Sequence, residues 1–234
     1  MKGKSPKVKG IVPLTAMRRI VGERMTKSKQ TAPHFYVTAD VNMTEVNKKR
    51  AEWKEKGEAV IPSINDFILW ACAKTLRDFP SLNSTLTNQG VQLFSDINIG
   101  MAVAIREGLV VPVIRNADQL TLQQLARESR ELSEKAQRKK LLPLDYEGGT
   151  FTVSNLGMYG VNSFVAIINP PQCAILAVAQ MAPRVIPRGE NVVVCSMMTI
   201  ALSADHRIVD GVIAARFLQE VKGLLEKAGT ESCR

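Results

Sequence analysis

Ala201-Leu202-Ser203-Ala204-Asp205-His206-Arg207-Ile208-Val209-Asp210-Gly211 is the stretch on which the reading of this chain turns. An apolar, β-branched run from Val192 to Ile200 leads into it, and an amphipathic helical pattern from Val212 to Leu225 follows. A strand therefore gives way to a helix at His206, and such junctions let a rigid element aim a side chain into a cleft. The chain has only two histidines, and this one is flanked by Asp205, Arg207 and Asp210. Two readings of Asp210 stay open. On a helical turn its carboxylate shares a face with the imidazole four residues earlier and orients it. Alternatively, it caps the last helix, with Gly211 as first helical residue. Arg207 can pair with either carboxylate.

Outward from this stretch, strands and helices interleave without a strict βαβ rhythm. Thr15 caps a helix with Met17, Ile20, Val21 and Met25 on one face. His34 to Val41 reads as a strand, Thr44 to Lys56 as a charged surface helix, and Ile64 to Phe79, opened by Pro62-Ser63, as a more buried one. Pro80 to Gly90 reads as polar loop. Ile97 to Ile105 and Leu109 to Ile114 form a hairpin turning at Arg106-Glu107-Gly108. Thr121 caps a long helix to Lys140 with Leu122, Leu125, Ala126 and Leu132 inside. Thr150 to Ser154, Val165 to Ile168, Ala174 to Ala179 and Val192 to Ser203 read as strands, and Val212 to Lys227 as the last helix. The expectation is one mixed α+β domain on a large sheet, residues 13–230. Residues 1–12 read as a basic linker, the end of a longer tether, and 231–234 as a tail.

Composition removes several function classes. No run approaches the 18 or so apolar residues of a membrane span. Cys72, Cys173, Cys195 and Cys233 are scattered, with no Cys-x-x-Cys pair, which fits reduced thiols in a reducing compartment. Two distant histidines and no cysteine cluster leave no transition-metal site. The net charge of +9 is local: residues 1–29 carry nine basic groups and Glu23, while the other 205 residues carry 22 basic and 21 acidic groups. A basic arm precedes a neutral body. No aromatic residues are interleaved with the basic ones, which argues against single-stranded nucleic acid as partner.

A second constellation is Phe151-Thr152-Val153-Ser154-Asn155-Leu156-Gly157-Met158-Tyr159-Gly160. A hydroxyl and an amide at a strand end, followed by two glycines, give a polar backbone that a ligand can approach closely, suited to an amide or an oxyanion. It is neither a phosphate loop nor Gly-x-Ser-x-Gly, so a serine nucleophile is disfavoured. His34, after Pro33, reads as a packed structural histidine.

Together these motifs resemble a known family. Asp205 to Gly211 is similar to the His-x-x-x-Asp-Gly signature of the catalytic core of dihydrolipoamide acyltransferases, the central components of 2-oxo acid dehydrogenase complexes. Gly148-Gly149-Thr150 with Phe151 to Gly157 resembles that family's Gly-Gly-Thr-Phe-Thr-x-Ser-Asn-x-Gly run. Ile168-Asn169-Pro170-Pro171-Gln172, Gly108 to Ile114 and Phe79-Pro80-Ser81-Leu82-Asn83 match it in order. The resemblance covers about residues 11–228. It implies a chloramphenicol-acetyltransferase-like fold that forms trimers, which assemble into 24-mer or 60-mer shells. It implies acyl transfer between a lipoyl-domain dihydrolipoamide thiol and coenzyme A. Ser154 to Gly160 is closest to the acetyl (pyruvate) type; branched-chain and acetoin types, and a non-catalytic scaffold of the same fold, stay open.

The resemblance also implies roles. A thiol is mostly protonated at neutral pH, so the reaction needs a general base, and His206 is that type of group. Ser154 stands at the position of the oxyanion donor, and Asp210 at the second signature position, holding local structure. Arg50, Ser63 and Asn155 fall at coenzyme A-contacting positions. His206 of one subunit would face Ser154 of its neighbour. The basic arm would suit acidic lipoyl domains, and upstream domains would bind the decarboxylase and dihydrolipoamide dehydrogenase components. The implied compartment is the bacterial cytoplasm or the mitochondrial matrix. No nucleic acid, membrane or metal is implied.

Overall fold

The computed structural model describes residues 6–228. Cys233, the 231–234 tail and the start of the linker, with Lys2 and Lys4, lie outside the described residues. In chain order the elements are α1 (Ala16–Thr31), β1 (His34–Asn42), α2 (Thr44–Glu55), α3 (Ile64–Leu76), β2 (Ser84–Thr87), β3 (Gly90–Leu93), β4 (Ile99–Met101), β5 (Val103–Ile105), β6 (Gly108–Val110), β7 (Val113–Ile114), α4 (Leu122–Gln137), β8 (Phe151–Asn155), β9 (Ala174–Arg188), β10 (Asn191–Asp205) and α5 (Gly211–Glu226).

Six strands make one sheet in the order β1-β10-β9-β8-β4-β7. β8 runs parallel to β9 and to β4, while β1, β10, β9 and the β4–β7 pair are antiparallel. This is the mixed α+β sheet expected. Period-2 alternation decides its faces. Phe151 and Val153 of β8, and Ile200, Leu202 and Ala204 of β10, belong to the buried core with Phe67 of α3 and Phe217 of α5. Phe217 meets Phe151 and Phe79 with ring centroids 5.7 Å from each. Thr152 and Ser154 alternate to the other face, where Thr152 Oγ1 donates to Gln172 Oε1 at 2.6 Å.

Three expectations need correction. The hairpin from Ile97 to Ile114 turns at Gly108, whose φ of +152° suits glycine, but it is broken in two. β4 pairs β7 in the large sheet, whereas β5 pairs β6 outside it. Pro112 has no N–H to continue the ladder, and Ala102 N–H donates to Val153 O instead. Pro80 to Gly90 is not simply loop: Pro80–Leu82 is a 3-10 turn and β2 pairs with β3. Val165 to Ile168 is not a strand, because its polar groups go to side chains. Ile168 N–H donates to His34 Nε2 at 3.1 Å, and Ile168 O accepts from Ser28 Oγ at 2.7 Å. Met17, Ile20 and Val21 of α1 are 41%, 58% and 45% exposed, so among the described residues this face is largely open.

His34 is structural, as expected. Nδ1 donates to Ala32 O at 2.8 Å while Nε2 accepts from Ile168, so both ring nitrogens hold the α1–β1 turn against the Asn169-Pro170-Pro171 corner. Two basic groups of the arm also serve the fold. Arg24 Nη2 donates to Pro170 O at 2.7 Å, and Lys29 donates to the Tyr36 hydroxyl.

Candidate functional site

β10 ends at Asp205, and the chain turns at once: Ile208 and Val209 N–H both donate to Asp205 O at 3.0 Å. Asp205 is 4% exposed, and a carboxylate so buried needs partners. Arg207 supplies them, with Nε on Oδ1 at 3.0 Å and Nη2 on Oδ2 at 2.6 Å. Arg207 thus pairs with Asp205 rather than Asp210, and the carboxylate raises the guanidinium's pKa. This fork stiffens the turn that carries His206.

His206 itself is exposed. Its N–H donates to Pro33 O at 3.1 Å, and its ring leans on Phe35 at 4.5 Å between centroids. The residue before β1 therefore fixes the backbone and Phe35 of β1 one ring face, and among the described residues no group takes a ring nitrogen. Asp210 does not reach back to the imidazole. Its Oδ1 accepts from Ile213 N–H at 2.8 Å as the N-cap of α5, which decides between the two readings. Asp210→Ala should therefore cost about 0.5–2 kcal/mol of stability and Asp210→Asn little, since asparagine caps equally well. Denaturant unfolding of the two variants checks this.

Ser154 is half-buried at the end of β8 and opens on a cavity of about 700 Å³, within the range of small-molecule sites. Ser63, Asn65, Asp66, Ala104, Arg127 and Asn155 are among its walls. Ser63 caps α3: its Oγ accepts from Asp66 N–H at 3.2 Å, and Asp66 Oδ2 accepts from Ser63 N–H at 2.7 Å. Asp66 also receives the Ser129 hydroxyl, tying α3 to α4. Arg50 is not in the cavity wall. Its Nε donates to Pro62 O at 2.8 Å, so it braces the loop before Ser63. Asn155 lies in the wall, but both ends of its amide are engaged: Oδ1 accepts from Gly157 N–H at 2.8 Å and Nδ2 donates to Asn65 Oδ1 at 3.1 Å. Gly157 is required there, because a Cβ would sit 2.8 Å from Ala179 O.

Asn65, Asp66 and Ser129 were missed by the sequence reading. The one signal, for Asn65 and Asp66, was Ser63-Ile64-Asn65-Asp66, a capping box of the Ser-x-x-acid kind; Ser129 had none.

The structure does not bring His206 to Ser154 within one chain. Ser154 is level with Ala177, and Ala177 with Ala201. His206 lies five residues beyond Ala201 and two strands over, so the two are separated by on the order of 20 Å at about 3.3 Å per residue and 4.8 Å per strand. Neither side chain bridges that gap, and His206 takes no part in the cavity wall.

The thiols stand apart from this chemistry. Burial pushes the Cys72 thiol well above the ordinary cysteine range and raises the Cys173 thiol as well, so neither is a ready nucleophile.

The model of the 2-oxoacid dehydrogenases acyltransferase catalytic domain matches residues 7–230. The chain belongs to that family. Among its acyltransferase relatives, the dihydrolipoyllysine-residue acetyltransferase component of the pyruvate dehydrogenase complex of Rickettsia felis is 40% identical over 230 residues. That match covers 95% of this chain and 55% of the relative, so the chain spans about half the length of the curated relatives it matches. Two solved acyltransferase cores superpose closely. The Azotobacter vinelandii dihydrolipoamide acetyltransferase, studied for the role of a serine, a histidine and an asparagine in its catalytic mechanism, has a TM-score of 0.89 at 33% identity, covering 98% of this chain and all of that one. The cubic core of a pyruvate dehydrogenase multienzyme complex has a TM-score of 0.89 at 34% identity, with the same coverage. A chloramphenicol acetyltransferase shares the fold at 16% identity, with a TM-score of 0.59 over 87% of this chain and 94% of that one.

Proposed function

We propose that this acyltransferase domain moves an acetyl group between coenzyme A and the dihydrolipoamide thiol of a lipoyl domain, as the core of a pyruvate dehydrogenase complex. One observation carries the reading. The serine, histidine and asparagine studied in the Azotobacter enzyme stand 52 and 4 residues apart. Ser154, His206 and Asp210 keep the same separations, with the aspartate that caps α5 standing where that enzyme has asparagine.

In this reading His206 removes the proton from the coenzyme A thiol. The sulfur attacks the carbonyl carbon of the acetyl-dihydrolipoyl thioester. The carbonyl π pair moves to oxygen, and the Ser154 hydroxyl donates to that oxyanion. Collapse expels the dihydrolipoyl thiolate, which takes the proton back from His206, leaving acetyl-coenzyme A and a dihydrolipoyl thiol. No acyl-enzyme forms.

The spacing of about 20 Å within one chain supports a site completed by a second copy, whose His206 enters the mouth of the Ser154 cavity. The uncovered face of α1 supports the same assembly, a trimer that builds a larger shell. The basic arm suits an acidic lipoyl domain as partner, and the decarboxylase and dihydrolipoamide dehydrogenase components would bind through other domains of the complex. Arg50 and Ser63 serve coenzyme A in this reading by shaping the cavity mouth. Acetyl transfer from acetyl-coenzyme A to free dihydrolipoamide, followed by chromatographic separation of acetyl-dihydrolipoamide from acetyl-coenzyme A, tests it. Turnover by the assembled protein supports it; a well-formed assembly without turnover sends the reading to the scaffold alternative.

A further inference from the structure

We infer that Asn65 is a substrate-contacting residue, presenting its side-chain NH2 to an amide carbonyl of the pantetheine or dihydrolipoamide arm in the Ser154 cavity. The inference rests on the acyltransferase reading and adds a donor to it.

Hydrogen-bond direction fixes how this amide is turned. The two ends of an asparagine amide differ only in being donor and acceptor, so the network must orient them. Gly157 N–H can only donate, and it points at the Asn155 side chain at 2.8 Å. That end of Asn155 is therefore its oxygen, and the other end is its NH2. The NH2 faces Asn65 at 3.1 Å, so Asn65 must turn its oxygen towards Asn155. The NH2 of Asn65 is what remains, on a residue that lines the cavity.

Several neighbouring polar groups of the wall already have partners. The Ser63 hydroxyl accepts from Asp66 N–H, the Ser129 hydroxyl donates to Asp66, and Gln137 Nε2 donates to Ala104 O at 2.9 Å. Among the described residues no acceptor takes the Asn65 NH2. It is a fixed donor: Asn65 is the second residue of α3, and its oxygen is held by Asn155, the residue next to Ser154. A carbonyl oxygen is the group it suits, and both substrates carry amide carbonyls along their arms.

Asn65→Asp separates this role from a structural one. Aspartate keeps an oxygen for Asn155 and favours the first turn of α3 through the helix dipole, but it has no donor. The expected result is an unfolding temperature no lower than wild type and a rise of about 3–10-fold in the KM of one substrate, the range for losing one neutral hydrogen bond. Coenzyme A is varied at saturating dihydrolipoamide and then the reverse, and the KM that rises names the arm contacted. Asn65→Ala should raise the same KM and also lower kcat, because it frees Asn155 beside Ser154. Wild-type KM values for both substrates in Asn65→Asp would overturn the inference, as would a loss confined to kcat. Wild-type protein without turnover would overturn the acyltransferase reading itself, a separate outcome.

Discussion

His206→Ala is expected to lower turnover by about 10²–10⁴-fold, the range for removing a positioned general base. The variant should fold and assemble normally. The histidine side chain is exposed, it fills no core space, and its one ring contact is with Phe35. Alanine keeps the N–H that donates to Pro33 O, and the Asp205–Arg207 fork still closes the turn. Surface changes of this kind shift stability by about 0.5 kcal/mol or less. The acidic limb of the kcat/KM profile should flatten, because the group that must be unprotonated is gone. Steady-state rates across pH, with solution mass and unfolding temperature on the same samples, check this. Full activity in His206→Ala would remove the base assignment.

Ser154→Ala is expected to cost about 10²–10³-fold in kcat, equivalent to about 2.7–4 kcal/mol of lost oxyanion stabilisation. KM should change little, because the charge on the carbonyl oxygen develops only on the way to the tetrahedral intermediate. Stability should hold: the residue is half-buried at a strand end, and its backbone pairing with Ala177 is indifferent to the side chain. A KM rise with kcat unchanged would instead make Ser154 a ground-state contact.

The strand-to-helix junction at His206 was legible because both flanks carry strong periodicity, and Gly211 and Asp210 mark the helix start. The long hairpin of β9 and β10 was legible only in part. Ala174 to Ala179 is a dense apolar run, but Gln180 to Arg188 mixes polar residues with Pro183 and Pro187, and pairing with β10 rather than composition makes it a strand. Val165 to Ile168 failed for the opposite reason. Its residues favour strand, yet His34 and Ser28 claim the backbone of Ile168 from 134 and 140 residues away. Local pattern carries no information about such distant side-chain partners.

The site divides the same way. Ser154 and Asp210 follow from their places at the ends of elements. The choice of Asp205 as the partner of Arg207 needed coordinates, since both carboxylates lie within reach along the chain. So did the wall formed by Asn65, Asp66 and Ser129. Asp66 and Ser129 sit on two helices 63 residues apart, and nothing in either helix reports the other. Arg50 is a further case. Expected as a coenzyme A contact, this helix residue also braces Pro62, a partner that local pattern does not report.

The central claim is that two copies of this chain complete one site, and complementation tests it most directly. His206→Ala and Ser154→Ala chains, each nearly inactive alone, are co-assembled in equal amounts and assayed for acetyl transfer. If histidine and serine come from different copies, random mixing makes about one interface in four intact, and about a quarter of wild-type activity returns. If each chain carried its own complete site, every site in the mixture would lack one of the two groups. Activity would then stay at the level of the separate variants, and the account would be contradicted.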